Sequence, residues 1–447
     1  MTLIVLLQIF LIWAVVLWVY NLVARRDGRA PIDDIGIWWL GVFLLYATLP
    51  PVAWLLQGGT YGPLSGRLFQ LQPTIQEVVY LLSISLAYIA GFTSVFLVLL
   101  KRVSRPVVAA QARIGGSKMA GAAVIIMAAS LTGVLLSKLG LIRSAESYID
   151  SYAVIYELPR GLRQLIKIVG GLSGVATLVL LVAIFQRWPK YRFLFMCYLL
   201  SIVVAVNPQG GRGGIVTALL SMVVAWHVLI RPIPSKRLFV GGFLGLLCFL
   251  LFGIWRNIGS LTGVGGLGSE GVGVGEFDAL WGNAIELLRA KKSGGINVNF
   301  EIRFGEIFSF VPNQLLWFEK ISLNDWYLIN FYPGMKETGG GWVFGAISQA
   351  VIGGGLFEAA IRGAIIGALA GWIMLWVRKP TTAWWRFPLH LYLLVGVFAG
   401  IRETTFIQWG EVVQIWLIAP IVIAIIGAIL TSTASYRGRL SVNNPKK

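Results

Sequence analysis

Arg212 stands in the run Asn207-Pro-Gln-Gly-Gly-Arg-Gly-Gly214, with glycines at 210, 211, 213 and 214. Glycines let a ligand approach backbone N–H groups closely, and the apolar run that follows would begin there with its positive dipole end. A guanidinium beside free N–H groups suits a phosphate, through bidentate, charge-assisted bonds. Gly211, Gly213 and Gly214 form the backbone part of that anion turn. The stretch lacks the Lys-Ser/Thr ending of a nucleotide P-loop. The same residues also fit an arginine snorkelling at a membrane edge beside a flexible turn.

More charge follows. Arg256 comes directly after an apolar run. The sequence Asn299-Phe-Glu301-Ile-Arg303-Phe-Gly-Glu306 sets a guanidinium between two carboxylates, and Arg303 and Glu306, three apart, could pair on a helix. Ile401-Arg402-Glu403 adjoins the end of another apolar run, and Glu411 opens the next. Each acid–base pair fits a purely structural role as well as a chemical one. Glu358 and Arg362 lie inside the apolar run 342–376, four apart, where a pair can neutralise itself cheaply.

The elements that must carry these residues are set by composition. Hydrophobic residues make up 57% of the 447-residue chain and charged residues 13%, with mean hydropathy +0.79. Soluble domains hold about 25% charge, so a multi-helix membrane protein is expected. Backbone groups in lipid are satisfied within helices, which makes the expected class all-α. Cys197 and Cys248 both fall in apolar runs, and neither His227 nor His390 has metal-ligand spacing. No disulfide, metal or cofactor is expected.

Apolar runs at about 3–23, 35–56, 74–100, 118–137, 165–185, 191–206, 214–230, 238–254, 342–376, 387–400 and 411–431 predict eleven spans. This divides the chain into spans and short connections over 1–254, a large hydrophilic interval over 255–341, and spans with a tail over 342–447. The first run lacks a basic leading region, so it reads as a span, not a cleavable signal. The run 342–376 exceeds one span, and Gly353-Gly-Gly355 is its expected break, placing Glu358 near a cavity. Gly363, Gly367 and Gly371 also permit close helix packing.

Alternate gaps, with the tail, hold 21 of the 37 Lys/Arg and only Asp27, Asp33 and Asp34 of the 19 acids; 16 basic and 16 acidic residues remain elsewhere. Positive-inside bias therefore predicts an external N-terminus, a cytoplasmic C-terminus and an external 255–341 interval. The net charge of +18 then reflects topology and lipid contact rather than nucleic-acid binding. Lys138 to Lys167 places Tyr148, Tyr152 and Tyr156 on one face of a short helix that Pro159 would end. That face fits an interfacial aromatic belt or a lipid- or sugar-handling surface.

The Gly-Arg-Gly-Gly turn opening a span, the arginine after a later span, the large external loop and the segment YPGMKETGGGWVFGAISQAVIGGGLFEAAIRG together resemble bacterial polysaccharide repeat-unit polymerases, the Wzy-type O-antigen polymerase group. The resemblance covers roughly 190–410 and is mainly one of layout. It implies a glycosyltransferase-C-like fold and a metal-independent glycosyltransferase of the bacterial inner membrane. Such an enzyme moves a glycan from a polyprenyl diphosphate to the non-reducing end of another lipid-linked repeat unit. Its partners would be polyprenyl-diphosphate-linked oligosaccharides, membrane lipids and a chain-length regulator. Arg212 and Arg256 would hold the diphosphate, with Arg303 and Arg402 matching by placement alone. Glu301, Glu306, Glu358 and Glu403 are the candidate bases for the acceptor hydroxyl.

Three competitors differ in readable features. The related O-antigen ligases carry a functional histidine in the outer loop, whereas His227 and His390 fall near inner ends of spans. A shape-and-division peptidoglycan polymerase would show ten spans and an outer aspartate motif. A lipid-linked oligosaccharide transporter or flippase would show repeated halves with matching broken helices, and only the break at Gly353 is found.

Overall fold

The structure is a computed structural model, and it describes residues 2–61, 67–103, 113–140, 158–188, 190–191, 193, 212–245, 247, 275–296, 298–308, 311, 315–318, 321–333, 344–379, 383–402 and 404–442. In chain order its helices are α1 (Thr2–Asp27), α2 (Ile35–Leu56), α3 (Arg67–Leu71), α4 (Ile75–Leu100), α5 (Gly116–Lys138), α6 (Arg160–Gln186) and α7 (Arg212–Leu229). Then come α8 (Gly275–Lys292), α9 (Phe300–Phe304) with a 3-10 turn over Gly305–Phe308, α10 (Leu323–Phe331), α11 (Gly345–Ile352), α12 (Leu356–Val377), α13 (Arg386–Arg402) and α14 (Ile407–Val442). A further helical stretch covers 235–245. Among the described residues there is no strand.

The chain is a multi-pass α-helical membrane protein. Six described helices are long and apolar enough to cross a bilayer: Thr2–Asp27, Ile35–Leu56, Ile75–Leu100, Gly116–Leu136, Gly161–Gln186 and Leu356–Val377. The expectation of about eleven spans in a glycosyltransferase-C-like arrangement is thereby corrected. Apolar runs count composition, whereas a span needs some twenty helical residues without interruption. Over the runs 214–230, 387–400 and 411–431 the described apolar helical stretches are Thr217–Leu229, Arg386–Val397 and Leu417–Thr433, the last of them inside the continuous helix α14. The run 342–376 divides at Gly353–Gly355 into α11 and α12, as its glycines predicted. Most of 191–206 and of 246–254 lies outside the described residues.

Local chemistry sets the helix ends. The Asp34 carboxylate accepts from Gly36 N at 2.9 Å and Ile37 N at 3.3 Å, capping α2. Thr74 and Glu77 form a reciprocal capping box on α4. Pro159 precedes the first turn of α6, where a missing N–H costs nothing; the helix it was expected to end lies outside the described residues. The tyrosines at 148, 152 and 156 lie outside the described residues.

Two hydrophobic clusters make the core. One joins α1, α2, α4, α8, α11 and α12, and the other joins α5, α6, α7, α13 and α14; α13 contributes to both. The closest approach is between α4 and α12. A Cβ on Gly363 would strike the Tyr88 carbonyl, one on Gly367 that of Phe92, and one on Gly91 that of Ala360. Backbones therefore meet with no side chain between them.

From the hydrophilic interval, α8 enters this core. Trp281 is fully buried, and its indole N–H donates to the Tyr46 carbonyl at 2.9 Å. That carbonyl lies four residues before Pro50, which has no N–H to give it. Arg289 then clasps Glu77 with two bonds of 2.8 Å and reaches the Leu71 carbonyl at 2.9 Å. These contacts fix the end of the bundle where α2 finishes and α4 and α12 begin.

The opposite end is held by a second charged group. Arg378, just after α12, pairs with Asp27 at 2.8 Å and lies 3.8 Å from Asp34. Arg29 pairs with Asp33 at 2.5 Å, Arg26 donates to the Leu100 carbonyl at 2.6 Å, and His390 Nε2 meets the Asp33 carbonyl at 2.6 Å. The three acids of the basic gaps are thus tied to arginines joining α1, α2 and α12.

Candidate functional site

The site is built where α12 starts. Gly355, at φ +62°, precedes its first turn, a conformation only glycine adopts without strain. The turn Gly353–Gly355 directs Gly354 N at the Glu358 carboxylate, 2.8 Å away. One helical turn on, Arg362 is 4% exposed and donates from Nε to Glu358 Oε1 at 2.9 Å. The expected i,i+4 pair therefore forms, and it is the centre of something larger.

Glu306, on the 3-10 turn, is 8% exposed, and its Oε1 accepts from Arg362 Nη1 at 2.6 Å. Its Oε2 accepts from Gln349 Nε2 at 2.9 Å and Phe406 N at 3.3 Å. Arg303, on α9, donates to Glu358 Oε2. Arg303 and Glu306, which a continuous helix could pair, each take a partner on α12. The reason is the helix break at Gly305, after which the chain tightens and turns the two side chains toward separate partners.

Uncharged groups complete the shell. Gln349 is fully buried on α11, and its Oε1 accepts from Arg362 Nη1 and Thr405 N, both at 3.1 Å, and from the Thr405 hydroxyl at 2.6 Å. Thr405 Oγ1 also accepts from Arg362 Nη1 at 2.8 Å. Lys291, near the end of α8, donates to the carbonyls of Val351 at 2.9 Å and Gly353 at 2.6 Å. These are carbonyls that the end of α11 leaves without helical donors. Burial, with Arg303 nearby, lowers the Lys291 ammonium below the usual lysine range.

Three cations, Lys291, Arg303 and Arg362, therefore face two carboxylates, Glu306 and Glu358, an excess of one positive charge. Arg303 carries the accessible part of it. Its side chain is 31% exposed. Such an edge can receive an anion without breaking the pairs behind it. Both network carboxylates are held by guanidinia. Glu301, one turn away, is exposed and without a partner among the described residues.

The other expected site residues fall as follows. Arg212 opens α7, as the glycine turn predicted, with Gly213 and Gly214 in its first turn. At the other end of α7, His227 lies close to Asp33 and Arg29, so the helix runs from the Arg378–Asp27 end back to Arg212. About 22 Å of helix separates His227 from Arg212, which puts the Arg212 backbone toward the network's end of the bundle. The Arg212 side chain, Gly211, Arg256 and Glu403 lie outside the described residues, as does the Glu411 side chain. Arg402 closes α13 beside Thr404 and Thr405.

Reading the sequence identified Glu306, Arg303 and the Glu358–Arg362 pair but assigned no role to Gln349, Thr405 or Lys291. One signal was available for Gln349, an amide inside an otherwise apolar run, which needs a buried partner. No family model, curated protein or solved structure matches the chain, so the chemistry of this end of the bundle is read from its own geometry.

Proposed function

We propose that the protein is a membrane glycosyltransferase of the polysaccharide-polymerase kind. It takes a glycan from a polyprenyl diphosphate and adds it to the non-reducing end of a second lipid-linked glycan. The observation carrying this reading is the buried network at the head of α12, with its positive excess and the half-exposed Arg303 edge. A lipid diphosphate is both anionic and membrane-bound, which suits a cationic edge at one end of a helical bundle. The charge bias of the gaps supports an external position for this end, in a bacterial inner membrane with the N-terminus outside and the C-terminus inside.

In the proposed step, the acceptor hydroxyl oxygen attacks the anomeric carbon. The bond from that carbon to the diphosphate oxygen breaks, and the electron pair leaves with the diphosphate. Arg303, helped by Arg212, Arg256 and Arg402, stabilises that leaving charge. Arg362 does not contact the diphosphate; it holds Glu306 and Glu358, so that Arg303 is fixed through Glu358. The hydroxyl proton passes to a carboxylate. Glu301 is the best placed of the described candidates, because Glu306 and Glu358 already accept from guanidinia.

The test uses purified full-length protein in detergent with a lipid-diphosphate-linked oligosaccharide and no nucleotide, sugar nucleotide or divalent metal. A ladder of chain lengths is expected, since cleavage of the glycosyl-diphosphate bond drives the reaction. Transfer of a whole preformed chain to a different acceptor would indicate ligase-type chemistry. Unchanged chain length together with lipid-linked glycan translocation in sealed vesicles would establish a flippase and overturn the proposal.

A further inference from the structure

The segment carrying Arg303 and Glu306 has a second face. Phe300, Phe304 and Phe308 recur at intervals of four along α9 and its 3-10 turn, and they line a cavity of about 340 Å³. Trp317 and Phe318 close its other side. Phe308 meets Trp317 with ring centres 6.3 Å apart and Phe318 at 5.7 Å, while Trp317 and Phe318 lie 5.4 Å apart, all edge to face. Although clustered, Trp317 is 82% exposed and Phe300 72% exposed. Glu301 and Asn299 supply the polar part of the lining.

We propose that this cradle is a glycan subsite, holding a sugar ring of the acceptor chain. The proposal rests on the glycosyl-transfer reading and names where that reaction's acceptor is held. A pyranose has an apolar C–H face and a polar edge of hydroxyls. Exposed ring faces receive the first by dispersion and weak C–H contacts, and a carboxylate and an amide receive the second. A hydrocarbon tail would match the rings and leave Glu301 facing apolar atoms, at a desolvation cost a sugar hydroxyl avoids. Interfacial anchoring would account for exposed aromatic rings but not for a carboxylate inside their cavity. The arrangement also has a purpose: one short helical segment presents the cavity through Phe300, Glu301 and Phe304 and the charged network through Arg303. Acceptor and leaving group would then be held side by side on one short helix, where Arg303 lies 5.2 Å from the Phe304 ring.

Saturation-transfer NMR on the full-length protein in detergent tests this, using oligosaccharide released by mild acid from the lipid-linked pool of the producing cells. Saturable transfer to sugar C–H protons is expected. Trp317→Ala should weaken it at least about ten-fold, and Trp317→Phe should restore most of it. Truncating so exposed a side chain opens no core cavity, and Phe300→Ala serves as a second variant. Farnesyl diphosphate provides the lipid arm and should bind wild type and Trp317→Ala alike. Absence of saturable saccharide binding overturns the subsite, as does equal binding by Trp317→Ala, or displacement of saccharide by the farnesyl chain in a Trp317-dependent way. A ladder formed without Trp317-dependent binding would remove the subsite and leave the transferase. Trp317-dependent binding without any ladder would do the reverse.

Discussion

At the residue scale, Arg362 and Arg303 separate stability from chemistry. Arg362 is buried between two carboxylates, so Arg362→Ala leaves Glu306 without its guanidinium and Glu358 with Arg303 alone. Breaking a buried pair costs roughly 3–5 kcal/mol, and a clear drop in the unfolding temperature in detergent is expected. Arg303 is partly exposed and lies at the edge. Arg303→Ala should therefore move the unfolding temperature far less while lowering chain extension on the order of 100-fold, as loss of one transition-state contact does. Arg303→Lys should recover little, because an ammonium lacks the planar fork. Equal unfolding losses in the two variants with unchanged turnover would remove Arg303 from the chemistry.

Asp278 on α8 makes a separate prediction. It is 2% exposed, neither carboxylate oxygen has a partner among the described residues, and burial pushes its carboxyl up to about 7. The folded form thus holds a proton that the unfolded chain, with an ordinary value of 3.8, releases earlier. This contribution to stability is complete below about pH 4 and is lost as pH rises through about 7. Asp278→Asn should flatten the unfolding temperature across that window. An unchanged pH slope would show that another group governs it.

At the scale of elements, glycine decides how closely the helices pack. Gly363→Ala and Gly367→Ala each set a methyl against a carbonyl of α4, and both should destabilise by about 1–3 kcal/mol through overpacking. Gly353→Ala tests something different. Its methyl would meet Glu358 Oε2 and Arg303 Nη2, wedging the pair at the edge of the network. A small change in unfolding temperature with a loss of chain extension is expected; full extension would show that this ion pair is dispensable. The spacing of Gly363, Gly367 and Gly371 was legible because close packing leaves a four-residue signature. The exchange of partners by Arg303 and Glu306 was not, because it depends on a 3-10 turn replacing the second half of a helix.

For the whole molecule, the two charged groups lie at opposite ends of the bundle, and the prediction is one of sidedness. In a Cys197→Ser, Cys248→Ser background, a cysteine at Ser293, after α8, should react with a membrane-impermeant maleimide added to cells with a permeabilised outer membrane. One at Ser235, after α7, should react only once the inner membrane is opened. The reverse pattern would invert the orientation.

The sequence by itself determined the class. So high an apolar fraction with so few charges leaves the backbone no solution in lipid but helices, and the glycine break at 353–355 and the caps at Asp34 and Thr74 follow from local chemistry. Apolar runs alone led to eleven spans, whereas six described helices have the length and composition of one, since hydropathy by itself does not set helix bounds. Only the tertiary structure decided that α8, from the most polar interval, enters the core beneath Pro50, and that Arg362 reaches Glu306 across 56 positions of chain. Such partners meet because glycine faces bring α4 and α12 together and carry the head of α12 to the α9 segment. That is a property of packing between distant segments, which no local pattern encodes.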